Sequence, residues 1–89
     1  MVYRVDSKKV LYRYVDTEAV LINTATSYYY SLNSVGTFIW KLLAEKRRTP
    51  KQLLDAVRKE YSPPMEAAAR DLDGLLRDLK DQGLVISED

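Results

Sequence analysis

Apolar residues in the first third of the chain fall at alternate positions or in short runs, whereas further on they recur at intervals of three and four. Val10-Leu11-Tyr12-Arg13-Tyr14-Val15 is β-branched and aromatic with rough alternation, and Asp16-Thr17 after it is a turn pair. Ala19-Val20-Leu21-Ile22 is a nearly continuous apolar run, the pattern of a central strand covered on at least one face. Asn23 to Thr26 makes the next connection, and Ser27 to Leu32 is a third strand, because consecutive tyrosines at 28, 29 and 30 suit a strand and fit a helix poorly. Two short links between three strands predict an antiparallel meander. Val2 to Val5 predicts a further short strand at the start. On the third strand Tyr28, Tyr30 and Leu32 share the face turned toward the helices. Tyr29 and Ser31 project from the other, so Tyr29 is the tyrosine that core packing explains least.

The remainder predicts three helices. Ser34 to Ala44 places Val35, Ile39, Leu42 and Leu43 at helical spacing, with Asn33-Ser34 favouring the helix start and Trp40 beside the stripe. Glu45-Lys46-Arg47-Arg48 is a charged connector. Thr49-Pro50-Lys51-Gln52 then carries an N-cap hydroxyl, a first-turn proline and a glutamine three residues after the cap. Leu53, Leu54, Val57 and Tyr61 form the buried stripe of that helix, which Ser62-Pro63-Pro64 stops. The last helix runs from about Pro64 to Gln82, with Gly83 as its C-terminal cap. Its stripe is Ala68, Leu72, Leu75, Leu76 and Leu79. Asp71 and Asp78 lie along one margin with Gln82 a turn further on, and Asp73 and Lys80 lie along the other. Gly74, mid-helix, permits a close backbone approach or is a tolerated surface residue. The apolar tail Leu84-Val85-Ile86 is expected to tuck back onto the core. The fold class is α+β: a three-stranded antiparallel sheet followed by three helices, the content of a winged helix-turn-helix, in a single domain over 1–89.

Composition narrows the chemistry. Among 89 residues there is no cysteine and no histidine, which removes disulfides, thiolate sites, the usual zinc ligand and Ser/His or Cys/His dyads. Asp71 and Asp73 stand about 200° apart around a helix and do not chelate one ion locally. The three glycines are isolated, so no phosphate loop exists. No catalytic set, metal site or cofactor is expected. A net charge of +1 sets up no general field for nucleic acid. The second helix carries Lys51, Gln52, Arg58 and Lys59 but interrupts them with Asp55 and Glu60, a charge-balanced surface rather than a recognition helix. No signal peptide and no apolar run long enough to span a bilayer is present, which fits a cytoplasmic protein.

An aromatic strand joined tightly to a helix reads as a recognition surface. If the third strand lies at the sheet edge, its unpaired N–H and C=O groups are a template for a strand from a partner. The last helix beside that edge would make the second wall of a groove, with Leu72, Leu75 and Leu79 as apolar floor and Asp71 or Asp78 as polar margin. Core packing is the competing explanation for those leucines.

Val20-Leu21-Ile22-Asn23, Tyr29-Tyr30-Ser31-Leu32-Asn33, Gly36 and Ile39-Trp40 resemble the PqqD-like proteins in order and spacing. So do Arg48-Thr49 through Leu53, and Asp71-Leu72, Leu75-Leu76 and Leu79 through Gly83-Leu84-Val85. The resemblance covers about Val10 to Ile86. It implies a precursor-peptide recognition element of ribosomally made, modified peptides, with a winged helix-turn-helix that binds a leader as a fourth antiparallel strand between the third strand and third helix. The form is most similar to free-standing lasso-peptide leader-binding proteins. Those pass the precursor to a separate leader-cleaving cysteine protease and an ATP-dependent cyclase. The resemblance implies a strand wall at Ser27, Tyr28, Tyr29, Tyr30 and Ser31 and a helix wall at Asp71, Leu72, Leu75, Asp78 and Leu79, with Ala69 and Asp73 open because the residue pattern does not distinguish which margin of the helix faces the groove. Trp40 and Leu32 are expected in the core. The alternatives are a peptide carrier for a radical enzyme in pyrroloquinoline quinone synthesis and a winged-helix DNA-binding regulator.

Overall fold

The computed structural model describes residues 1–89. In chain order the elements are β1 (Val2–Val5), β2 (Val10–Val15), β3 (Glu18–Asn23), β4 (Tyr29–Leu32), α1 (Ser34–Glu45), α2 (Pro50–Tyr61), α3 (Met65–Asp81) and β5 (Val85–Glu88). β2, β3 and β4 form the expected antiparallel meander with β3 in the centre. The C-terminal tail does more than tuck back. Leu84 and Val85 are buried, and β5 pairs antiparallel with β1 from Val2 opposite Glu88 to Val5 opposite Val85. Tyr3 and Arg48 exchange backbone hydrogen bonds of 2.8 and 2.9 Å, which ties this ribbon to the segment before α2.

The helix boundaries follow from local chemistry. The Asn33 side chain caps α1 by accepting the Gly36 N–H at 2.9 Å. A Cβ on Gly36 would meet Leu32 Cδ2 at 3.2 Å, so glycine lets the helix start close under the end of β4. Thr49 and Gln52 form a reciprocal capping box at the start of α2, and Ser62 ends that helix in the left-handed region at φ 51°. Pro64 precedes α3 as its N-cap and provides no side-chain hydrogen bond. Its other end is tightly closed: Leu84 N–H bonds Leu79 C=O, Gly83 N–H bonds Lys80 C=O, and Gly83 takes φ 73°. This paired closure is a Schellman motif and requires the glycine.

Trp40, Leu21, Leu43, Leu53, Leu79 and Leu84 are the largest fully buried side chains and join sheet, helices and tail into one core. Trp40 packs edge-on against Tyr12 at 5.5 Å. Its indole N–H is buried without an acceptor, which costs about 1–3 kcal/mol. Burial of an indole of roughly 150–250 Å² contributes about 4–6 kcal/mol and outweighs that cost. Asn23, also buried, fastens the sheet to α3: its amide donates to Gln82 C=O at 2.7 Å while its side-chain oxygen accepts from Ala25 and Thr26 N–H. Gly74 has nothing within 4 Å of its Cβ position and is the tolerated surface residue of the two readings.

Candidate functional site

The site starts from the register of β4. Tyr30 lies opposite Leu21, Tyr29 opposite Ile22, and Ser31 opposite Val20. Asn23 N–H donates to Tyr28 C=O at 2.9 Å, which makes Asn23 and Tyr28 a hydrogen-bonded pair. Such pairs alternate along an antiparallel ladder, so Tyr30 and Leu32 also turn their backbone groups toward β3. Tyr29 and Ser31 therefore present N–H and C=O outward, at an edge with no neighbouring strand.

Beside this edge lies a cleft of about 380 Å³. Tyr30, Ser31 and Leu32 form its strand wall, and Ala67, Ala68, Asp71, Leu72 and Leu75 of α3 form the wall opposite. Val35, Gly36 and Ile39 of α1, with Val57, Tyr61 and Pro63, close the end beyond the C-terminus of β4. Near its other end the Tyr30 hydroxyl donates to Asp78 Oδ2 across the gap at 3.3 Å, a long and weak hydrogen bond. Burial, then the Asp78 charge and this bond, raise the Tyr30 pKa above the ordinary 10.0. The arrangement offers main-chain pairing along one side, an apolar trough, and carboxylates on the rim. An extended peptide fits all three.

The structure draws Tyr30, Ser31, Asp71, Leu72 and Leu75 together around the cleft. Asp78 joins them through Tyr30, so the Asp71/Asp78 margin of α3 faces the strand. Asp73 pairs instead with Arg77 at 2.9 Å, exposed, and Ala69 is likewise exposed and does not line the cleft. Three expectations require correction. Ser27 and Tyr28 precede the strand: Ser27 sits in a turn at φ 65° closed by its N–H to Asn23 C=O, and Tyr28 is 67% exposed rather than turned toward the helices. Leu79 has no exposed surface and belongs to the core rather than the cleft, while Leu72 is nearly buried and forms only its base. Tyr61, expected in the buried stripe, is 43% exposed, stacks edge-on with Phe38 and lines the cleft. Val35, Ile39, Val57, Pro63 and Ala67 were not expected in the site. The available signal was the Tyr61-Ser62-Pro63 corner, where a large apolar residue stands at a helix end beside a proline. Arg48, in the basic connector, is occupied by Leu42 C=O and Glu45, and Lys51 pairs with Asp55. No helix is long and apolar enough to cross a membrane.

No curated protein matches the sequence. A solved structure of TbiB1 in complex with the TbiA(beta) leader peptide is 32% identical, with a TM-score of 0.85 over 97% of this chain and 98% of that one. A lasso peptide synthetase B1 complexed with the leader peptide shares the fold at a TM-score of 0.79 and 22% identity, over 96% of this chain and 98% of that one. The family model of coenzyme PQQ synthesis protein D matches residues 18–85, from the central strand through the start of β5. That match covers well over half of the chain, and the chain belongs to the PqqD family.

Proposed function

We propose that this chain is a non-catalytic adaptor that binds the leader segment of a ribosomally made precursor peptide. The leader adds as an antiparallel strand to β4 and lies between β4 and α3. The observation that carries this reading is the pair of outward-facing residues, Tyr29 and Ser31, beside an apolar cleft walled by α3. Main-chain hydrogen bonds at the edge supply affinity that any sequence can use, and the trough supplies selection for apolar side chains. The leader is extended and disordered when free. Ordering it on binding costs free energy, which keeps the complex reversible enough for hand-over. The likeness to TbiB1, solved with a leader peptide, supports lasso-peptide biosynthesis as the setting. The adaptor then delivers the precursor to a leader-cleaving cysteine protease and an ATP-dependent cyclase. A single domain over 1–89 carries this role.

The family match supports a second reading, a peptide carrier for a radical enzyme in pyrroloquinoline quinone synthesis. Fluorescence-anisotropy titration with labelled leader from a precursor gene beside this one tests the adaptor reading. Saturable one-to-one binding that is lost when the leader's apolar residues become alanine is the expected result. A folded protein that ignores the leader but binds duplex DNA with steep salt dependence overturns it.

A further inference from the structure

The sheet has a second exposed surface that the cleft does not use. On the face away from the helices, Leu11, Ile22 and Tyr29 form one row across β2, β3 and β4. Arg13, Val20 and Ser31 form the next. Leu11 is 62% and Tyr29 72% exposed, and a hollow of about 410 Å³ lies over the strands between them, lined also by Val20 and Ile22. Both rows end at the open edge of β4, where Tyr29 and Ser31 also offer their main-chain groups.

We propose that this outer face is a second recognition surface for the same leader, one that takes large apolar or aromatic side chains at alternate leader positions. The inference rests on the strand-addition reading above. Directly paired residues in a ladder put their side chains on the same face of the sheet. A leader residue opposite Tyr30 therefore points into the cleft toward α3, while the residues opposite Tyr29 and Ser31 lie on the outer face. There the first stands beside the Tyr29 ring. The second stands beside Ser31, whose small side chain leaves the way open toward Val20 and the hollow. A single strand thus satisfies two apolar surfaces that are separated by the sheet. Tyr29 is a specificity-determining residue through its ring as well as an edge residue through its backbone.

The test is an alanine scan of the labelled leader, titrated by anisotropy against wild type, Tyr29→Ser, Tyr29→Pro and Leu75→Ala. Circular dichroism confirms the fold, which the exposure of Tyr29 leaves intact. Tyr29→Ser is expected to weaken binding about three- to tenfold, the range of an aromatic cross-strand pair. The leader positions whose alanine penalty disappears in Tyr29→Ser are expected to be of opposite parity to those that Leu75→Ala silences. Wild-type affinity in Tyr29→Ser together with weakened Tyr29→Pro overturns the outer-face site and leaves strand addition standing. The same parity for both variants also overturns the outer-face site. Wild-type affinity in both Tyr29 variants overturns strand addition itself, and this inference with it.

Discussion

Tyr29→Pro separates the edge from the sheet. Proline removes one main-chain donor and leaves the carbonyl of the preceding residue in place. The Asn23 N–H to Tyr28 C=O bond at 2.9 Å therefore survives. The Tyr29 N–H faces outward by the alternation of the ladder, so no bond to β3 is lost, and the first residue of an edge strand tolerates proline. Stability should change by no more than about 0.5 kcal/mol. A bound leader, in contrast, loses the donor to one of its carbonyls. An unsatisfied group of this kind costs about 1–3 kcal/mol, which is roughly a 5- to 150-fold loss of affinity. Tyr30→Pro is the matched control. Its N–H belongs to the hydrogen-bonded pair with Leu21, so it should lose several kcal/mol of stability, with each kcal/mol worth about 4–8 °C in Tm. Anisotropy titration and thermal unfolding of both variants read the two effects independently. A folded Tyr29→Pro protein with unchanged leader affinity would refute strand addition at this edge.

Other expectations follow from depth, charge and open space. Leu75→Asp changes a half-buried cleft wall and should weaken leader binding at least tenfold in a protein that still melts cooperatively; Leu79→Asp, at 0% exposure, should fail to fold. A folded Leu79→Asp would contradict its place in the core. The raised Tyr30 pKa means that the folded state holds the phenolic proton more tightly than the unfolded chain. The stability this contributes is whole below the unfolded value of 10.0 and lost as pH rises through the raised one. Tyr14, raised by burial and by Tyr12, acts with the same sign. Melting temperatures should therefore fall above about pH 10, less steeply in Tyr30→Phe, and identical slopes would refute the assignment. Gly74→Ala should stabilise the protein by roughly 1 kcal/mol with unchanged leader affinity, since no neighbour opposes the added methyl. A loss of stability in a chemical-denaturation series would show a contact at that face.

Features set by neighbours in sequence were legible, and those set by distant partners were not. The Thr49–Gln52 capping box and the Gly83 closure declare themselves within six residues. Ser27 misled because its turn is organised by the Asn23 side chain, which is itself held by Gln82, 59 residues away. The pairing of the tail with Val2–Val5 joins opposite ends of the chain, and no local pattern announces it. Helical spacing put Leu72, Leu75 and Leu79 on one stripe but carries no information about depth, and the structure separates a base, a wall and a core residue. The same ambiguity between the margins of α3 ends only where Tyr30 meets Asp78 and Asp73 turns to Arg77.

β4 is only four residues long, and two of them face outward. A stray extended chain meeting that edge can form at most about four main-chain hydrogen bonds, worth roughly 2–6 kcal/mol net. Association costs on the order of 4–15 kcal/mol before any gain appears. The backbone template by itself is thus too brief to retain nascent chains, unfolded proteins or a neighbouring molecule's own edge. A strand of twice the length would be an aggregation hazard in a crowded solution. Brevity lets this protein leave a sheet edge open while only a sequence that fills the adjoining surfaces stays bound.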